Sequence, residues 1–408
     1  MMKKIFKILG LFLCVIFLIV LGKIVQNLVY SAFSVTCLES KPEDSYNFGQ
    51  ALAINDNYIA VGDPEANRVV IYSYDESQDK WSRTREIYPP KNSVIDQVGS
   101  GFGNHLVFNQ NQLIIGAFSN YVPSSFDRDT KNKYISRGFV YSLQLDQDNQ
   151  NVLREINLPE QINPTGYAVN VFDNKIALGT TSRREYGKKP NKIFILNPAT
   201  LKVESIIEPP ILLSKKGNFG NGIAGNSHSL VISAPDIPTK GGVYLVNKQG
   251  EIKTISMSEI SSIEKNRKFG SPIALGDDFL AIYSGGWDAL LSIFKRSSNG
   301  WEEIYSVSLL GSLSTDKSQL LVSTARYPFD GGMIHRSPNH LLIEVGKNRG
   351  FTKSTIRWHW WYYGGSAVAQ GAINSKYLLL SRRGKVVLLK KKFLPNYYVI
   401  DRSFCKEK

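Results

Sequence analysis

The sequence predicts an all-β protein: a seven-bladed β-propeller of four-stranded antiparallel blades, preceded by an N-terminal hydrophobic helix. The first observation is a recurring unit, which reads "NFGQALAINDNYIAVGDP" at 47–64, "GFGNHLVFNQNQLIIGAF" at 101–118 and "NFGNGIAGNSHSLVISAP" at 218–235. The second is that apolar residues alternate with a period of two, as strands require, while no helical stripe continues beyond residue 34. Tandem units of about 50 residues are typical of propellers and solenoids.

A fixed internal spacing identifies the units. Thirteen residues separate an opening glycine from the residue that closes the second strand. The five pairs are Gly49 and Gly62, Gly103 and Gly116, Gly166 and Gly179, Gly220 and Ser233, and Gly270 and Tyr283. Two less regular units begin at Gly311 and near Gly365, which makes seven.

Each unit contains four short strands. In the first unit they read "GQALAI", "YIAVG", "RVVIYSY" and "WSRTREIY", with polar turns at "NDN" and "DESQDK". In such a blade the first and third turns lie on one face of the disc, which we call the turn face. The second loop of each blade and the links between blades lie on the opposite face, which we call the loop face.

The openings and closings of the units resemble FG-GAP repeats, which occur in integrin α chains and in bacterial exported proteins. The aromatic–glycine openings are Phe48-Gly49, Phe102-Gly103, Phe219-Gly220 and Phe269-Gly270, and the closings are Gly62-Asp63-Pro64, Gly116-Ala117 and Ser233-Ala234-Pro235. The resemblance covers about residues 44–400. It implies a propeller that serves adhesion or the assembly of complexes.

The calcium loop of that family is missing here. Several FG-GAP propellers carry D-x-D-x-D-G inside the first hairpin, where alternate carboxylates converge on one hard cation. The first hairpins of this chain are too short and do not alternate acidic residues. The nearest imitation, at 146–150, lacks the third carboxylate and the turn glycine. We therefore expect neither a metal nor a cofactor.

The N-terminus predicts export. A basic "MMKKIFK" precedes fifteen uncharged residues at 8–22, as in an export signal. A membrane-spanning helix needs about 20 apolar residues, which the segment reaches by including Lys23 and continuing to about Phe33. We expect an anchor at 1–34 and a propeller at 35–408, outside the cytoplasm in the periplasm or at the cell surface. The alternative is a cleaved signal that releases a secreted propeller.

The chain has three cysteines. Cys14 lies in the apolar segment, Cys37 precedes the first unit and Cys405 follows the last. No CxxC motif or Cys/His cluster is present, so a zinc site is not expected. A closed ring brings the two chain ends to one junction, and outside the cytoplasm thiols oxidise. We predict a Cys37–Cys405 disulfide; the alternative is two unrelated free thiols.

The charge distribution predicts an anionic partner. The net charge of +14 attracts acidic partners, and length variation concentrates in loop-face segments at 119–137, 180–191 and 325–339. The candidate binding residues are Arg183, Arg184, Lys188, Lys189, Arg382 and Arg383, with Lys215, Lys216, Lys265, Arg267 and Lys268 in the links. We expect a protein or an acidic polysaccharide as partner, with no nucleic acid. The alternative is that these are ordinary solvated loop charges.

Catalytic signals are weak. The histidines fall in different contexts: His105, His228, His335, His340 and His359. No nucleophile elbow, phosphate loop or dinucleotide fingerprint follows a strand. A binding protein is therefore favoured over the alternative, an exported polysaccharide hydrolase or lyase with a site in the central channel.

The aromatic run "RWHWWYY" at 357–363 is predicted to be buried between blades six and seven rather than exposed for sugar stacking.

Overall fold

The structure confirms a seven-bladed propeller. The computed structural model describes residues 17, 21, 35–99, 101–123, 134–146, 152–158, 164–180, 191–210, 219–235, 242–255, 269–284, 289–298, 300–308, 311–324, 340–346, 351–359, 370–382, 384–393 and 397–401. These residues form seven sheets, six with four strands and one with five. Inner strands of successive blades contact one another around the ring, and the last contacts the first.

The strands follow one another in chain order, with β1 (Val35–Cys37) ahead of the first blade. Blade one contains β2 (Ala51–Ile54), β3 (Tyr58–Asp63), β4 (Arg68–Asp75) and β5 (Lys80–Ile87). Blade two contains β6 (Phe102–Asn109), β7 (Gln112–Pro123), β8 (Tyr134–Gln144) and β9 (Arg154–Glu155). Blade three contains β10 (Pro164–Phe172), β11 (Lys175–Thr180), β12 (Ile193–Leu196) and β13 (Val203–Ile207).

The remaining blades repeat this order. Blade four contains β14 (Ile223–Gly225), β15 (Ser229–Ala234), β16 (Gly242–Asn247) and β17 (Ile252–Ile255). Blade five contains β18 (Phe269–Leu275), β19 (Phe279–Ser284), β20 (Leu290–Ser297) and β21 (Gly300–Ser308). Blade six contains β22 (Gly311–Asp316), β23 (Gln319–Thr324), β24 (His340–Val345) and β25 (Phe351–His359). Blade seven contains β26 (Gln370–Ile373), β27 (Tyr377–Arg382) and β28 (Lys385–Lys390); a 3-10 turn (Lys391–Phe393) and β29 (Tyr397–Asp401) follow.

The two chain ends depart from a strictly tandem arrangement. The N-terminal strand β1 pairs with β28 and supplies the fourth, outermost strand of blade seven. The C-terminal strand β29 pairs in parallel with β25 and becomes a fifth strand of blade six. β1 therefore completes a blade built from distant sequence and closes the ring at its seam, while β29 adds an outer strand to the neighbouring blade.

The hydrophobic core is divided among the blade interfaces. Seven apolar clusters are present, and each joins one pair of neighbouring blades, including the seventh with the first. Middle strands are buried on both sides, as in β15 and β19, and therefore read as continuous apolar runs rather than alternating ones. Since apolar burial contributes roughly 25 cal/mol per Å², this distributed core is the main stabilising contribution of the fold.

The opening glycines stand where neighbouring blades approach most closely. Gly103, which opens blade two, has φ +83°, and a Cβ on Gly62 of blade one would lie 2.1 Å from its carbonyl oxygen. At the seam, Gly49 has φ +88°, and its Cβ would lie 2.6 Å from Ser381 Cβ of blade seven. A side chain at these positions would meet both backbone strain and a clash.

One short helix lies in the link between blades one and two. Helix α1 (Val94–Val98) is capped by Ser93, whose side chain accepts a hydrogen bond from the Asp96 backbone, and by Gly99 in the left-handed conformation. Phe17 and Leu21 are helical and exposed. Within the part of the chain that the structure describes, no helix has the length and apolar character needed to span a membrane.

Replacing Gly49 with alanine should destabilise the ring more than backbone strain alone explains. Gly250 is the matched control, because it has a similar φ of +81° but open space around its Cβ position. Both substitutions incur a left-handed strain of about 1–2 kcal/mol, and Gly49→Ala adds an overpacking cost of about 1–3 kcal/mol. Thermal unfolding of the full-length protein measures both; equal decreases in Tm would contradict the close contact.

Candidate functional site

The two faces of the disc differ in how they are built. On the turn face, asparagine side chains fasten several hairpins to the next one. Asn55, Asn226 and Asn374 share one role: the side-chain oxygen of each accepts hydrogen bonds from two backbone N–H groups of its own turn. The amide nitrogen of each donates to a carbonyl of the neighbouring blade. These short hairpins are therefore rigid.

Polar contacts join the turn-face hairpins of every pair of neighbouring blades: four use an asparagine side chain, two are backbone hydrogen bonds and one is an ion pair. The seven contacts are Asn374 Nδ2 to Asn55 O (2.9 Å), Asn55 Nδ2 to Gln110 O (2.7 Å), Asn109 Nδ2 to Asn174 O (3.4 Å), Asp173 N to Asn226 O (3.2 Å), Asn226 Nδ2 to Gly276 O (2.7 Å), Asp277 N to Lys317 O (3.0 Å) and Lys391 Nζ to Asp316 Oδ2 (3.4 Å). Each of the seven blade junctions has one. Because these groups bind one another, they serve contacts between blades and are not available to a ligand.

Side chains of the inner strands are also used for structure. His105 Nε2 lies 2.9 Å from the carbonyl oxygen of Val169 in blade three, and burial lowers the pKa of His105. Thr315 Oγ1 donates to Leu275 O at 3.0 Å. Among the described side chains of the inner strands, His105 and Asp316 are the titratable ones, and they belong to blades two and six. They do not form a shared catalytic group.

The longest connections between strands of one blade are made at the loop face. The segment at 119–137, predicted as a loop, is partly strand: β7 and β8 remain paired to Pro123 and Tyr134. The paired strands of blade two therefore extend into this segment, with a register shift between Ser119 and Val122. Residues 181–190 and 325–339 lie outside the described residues.

The predicted cationic site lies almost wholly in those segments. Arg183, Arg184, Lys188, Lys189 and Arg383 fall outside the described residues, as do all five cations of the links. The backbone of Arg382 pairs with Lys385 at the loop-face end of β27, but its side chain is not among those described. The binding site therefore stays a prediction. The side chains of the run at 357–363 likewise lie outside the described residues, although Arg357–His359 form strand with β29.

An ionic network that the sequence did not predict occupies the loop-face end of blade one. Arg68 and Arg83 both bind Asp44, with nitrogen–oxygen distances of 2.7 Å and 2.9 Å, and these three side chains are at most 4% exposed. Arg68 also binds Asp63 at 3.2 Å and donates to the Glu43 carbonyl at 2.9 Å. The network therefore fastens the segment that crosses from blade seven to blade one.

Glu86 closes this network at the surface. It accepts bonds from Lys41 at 2.8 Å, Arg68 at 2.9 Å and Arg83 at 3.0 Å. The hydrogen bond from Lys41 is the largest of several causes that lower the pKa of Glu86 to about 2, and the Tyr88 hydroxyl contributes as well. The rings of Tyr46 (58% exposed) and Tyr88 (53% exposed) flank this region. In this described region of the loop face, the charged side chains hold one another in place.

The other candidate groups are separated. His340 is fully buried against Ser323 Oγ, with Nδ1 at 2.8 Å, whereas His228 is exposed in a turn. Asp146, the start of the imperfect calcium motif, accepts a hydrogen bond from Gln144 at 2.6 Å. Among the residues that the structure describes, no three histidine, cysteine or acidic side chains are placed to hold a metal ion.

Cys37 is disulfide-bonded, and Cys14 and Cys405 lie outside the described residues. The strand directions favour Cys405 as the partner. β1 and β29 form the outer edges of neighbouring blades, and both run from the turn face to the loop face. Cys37 ends β1, and Cys405 follows the end of β29 by four residues. The Cys37–Cys405 pairing stays a prediction.

Comparison with known proteins supports the fold. A scan against protein-family models and a search of curated protein sequences both give no match. The RRP9 WD40 repeats match with a TM-score of 0.50 and 9% identity, over 88% of this chain and 97% of that chain. Streptogramin B lyase matches with a TM-score of 0.48 and 10% identity, over 87% of this chain and 97% of that chain. A chain of the mitotic checkpoint complex matches with a TM-score of 0.49 and 10% identity, over 88% and 93%. At these identities the fold alone is shared.

Glu86→Gln should destabilise the protein at neutral pH and lose its effect in acid. The Glu86 carboxylate titrates at about 2 when folded and near 4.5 when unfolded, so its stabilisation is complete above pH 4.5 and disappears as pH falls through 2. Because Glu86 is partly exposed and its ion pairs are screened by solvent, a loss on the order of 1–2 kcal/mol is expected at pH 7. The measurement is Tm against pH. Glu208→Gln, at a 64% exposed ion pair, is the control and should have little effect; a Glu86→Gln difference independent of pH would contradict the assignment.

Peptide mapping without reductant tests the disulfide. We expect one linked peptide that contains Cys37 and Cys405, and Cys405→Ser should leave Cys37 open to alkylation. Closing so long a loop stabilises the fold by up to about 5 kcal/mol in the entropic treatment, so reduction should also lower Tm. A peptide that links Cys37 to Cys14 would refute the pairing.

Proposed function

We propose that the protein is a membrane-anchored binding propeller that recognises an anionic partner outside the cytoplasm through its loop face. The partner is an acidic surface polysaccharide or an acidic protein surface. The observation that carries this proposal is the contrast between the faces: the turn face is consumed by blade-to-blade hydrogen bonds, while the loop face carries the long segments and the extended paired strands of blade two. Recognition by loops on a rigid scaffold is the common use of such a face.

The charge of the chain supports an acidic partner. The net charge is +14, and four of its cations lie within 183–189 on a single loop-face segment. Cations grouped in this way raise the local concentration of an anionic ligand and the rate of encounter. Arg382 and Arg383, in the corresponding loop of blade seven, would extend the same surface.

Family and location are part of the proposal. The FG-GAP resemblance in the aromatic–glycine openings supports a role in adhesion or assembly, although fold analogy alone does not determine function. The basic start and the apolar segment support an anchor at 1–34, with the propeller in the periplasm or at the cell surface. Release after cleavage of that segment is the alternative.

A polysaccharide hydrolase or lyase is the second candidate, and the inner strands do not favour it. Such chemistry needs an acid and a base that converge on one bond. In the described inner strands, His105 bonds to a backbone carbonyl and Asp316 pairs with Lys391. Both groups serve contacts between blades, so binding accounts better for the site.

Charge reversal of the loop-face cluster tests the proposal. The variant replaces Arg183, Arg184, Lys188 and Lys189 by glutamate, and the control replaces Lys80, Lys202, Lys248 and Lys253, which lie outside the loop face. Both variants change the net charge equally. We expect the loop-face variant to bind immobilised polygalacturonate or heparin at least about tenfold more weakly, with a shallower salt dependence.

The same two variants identify a protein partner. The detergent-solubilised full-length chain is used for affinity capture, and co-purifying molecules are compared between the variants. An acidic polymer or protein that is lost only with the loop-face variant supports the proposal. Equal binding by the wild type and both variants would overturn it.

A further inference from the structure

The edge of blade seven on the turn face carries exposed lysines beside the point where the N-terminal segment enters the propeller. We propose that this edge docks on anionic lipid headgroups, so that the loop face points away from the membrane. The inference rests on the proposed function in one respect, which is that residues 1–34 anchor the chain. It adds the orientation of the disc and the chemical nature of the docking surface.

The direction of β1 fixes where the anchor joins the disc. β28 runs from the loop face at Lys385 to the turn face at Lys390. β1 is antiparallel to β28, and its first residue, Val35, pairs with Leu389 near the turn-face end. The chain therefore passes from residue 34 into the propeller at the turn face and reaches the loop face at Cys37.

The distance between the anchor and the disc is short. The apolar segment continues to about Phe33, and β1 already begins at Val35. An extended residue spans at most about 3.6 Å, so the connection allows a separation on the order of 10 Å. This is comparable to the Debye length of about 8–10 Å at physiological ionic strength. Charges at this edge therefore experience the lipid surface directly.

The side chains at that edge are basic. Lys317, Lys376 and Lys392 are exposed, and Lys390 is partly exposed directly beside Val35. The backbone N–H of Lys391 donates to the Lys376 carbonyl at 2.9 Å, which holds these two segments together. Lys391 also binds Asp316 at 3.4 Å and thereby joins the turn of blade six that contains Lys317. These contacts place the lysines in adjacent turns of blades six and seven.

Two of the lysines in this region are paired with carboxylates. Asp79 pairs with Lys390 at 2.7 Å, and Asp316 pairs with Lys391. Glu344 is the third carboxylate near Lys391. Lys317, Lys376 and Lys392 are exposed and form no ion pair with the described residues. The exposed Asp56 and Asp277 lie in the adjoining turns of blades one and five. Each lysine near an anionic surface strengthens association several-fold, so the exposed lysines add to the anchor and select the orientation.

Lysine labelling on vesicles tests the docking with the unmodified full-length chain. The protein is reconstituted into phosphatidylcholine vesicles with or without about one-third phosphatidylglycerol, and is acetylated by a reagent that does not cross the bilayer. Mass spectrometry measures labelling at Lys376 and Lys392 relative to Lys91, an exposed residue in the loop-face link after blade one. We expect about threefold slower relative labelling on the anionic vesicles, restored by about 1 M salt.

The outcomes separate the two proposals. Chain that does not co-float with either kind of vesicle lacks the anchor, which overturns the anchored form of the proposed function and the docking with it. Co-flotation with equal labelling on both kinds of vesicle leaves the anchor intact and overturns the docking alone. Protection of Lys91 instead of Lys376 would show the opposite orientation and would also overturn the docking.

Discussion

The structure depends on how closely one blade can approach the next. At each junction the start of an inner strand must lie on the second strand of the preceding blade, and at the best-defined junctions the space holds no side chain. Gly103 over Gly62 and Gly49 over Ser381 show this, since a Cβ would come within 2.1–2.6 Å of the neighbouring blade. The aromatic residue beside each glycine is buried, as Phe48 and Phe102 are, and fills the wedge that the glycine leaves open. The glycine thus allows the close approach of two blades, and the aromatic ring beside it fills the space that remains.

The same constraint explains why the repeats are unequal. Tyr283 stands where other blades close with glycine or serine, and it is buried. Gly311 of blade six, which faces that junction, does not share the positive φ of Gly49 and Gly103. At this junction the bulky Tyr283 and the ordinary φ of Gly311 therefore occur together. The apolar cluster between blades five and six fills the space.

The sequence predicted the repeated part of the fold and missed the part that occurs once. The strands of blade one and the glycine contacts follow from a pattern repeated often enough to fix its register. The pairing of Val35–Cys37 with blade seven has no such support, because three residues carry too little periodicity and their partner lies some 350 residues away. The network around Arg68 was missed for the same reason: Asp44, Asp63 and Glu86 meet it only after the seam has closed. The loop-face location of the binding site is predicted from loop length and stays a prediction.

At the seam, the segment that closes the ring also forms part of the loop face. The segment from β1 to β2 starts at the turn face, crosses to the loop face and is then held there by Arg68 and Arg83. Buried ion pairs contribute little net stability compared with apolar packing, but breaking one is costly because a charge remains unpaired. Such a network therefore specifies one arrangement of the chain rather than strengthening the fold in general. Outside this network, the described contacts between blades lie largely in the apolar clusters and on the turn face, and such a disc accommodates connections of unequal length on its loop face.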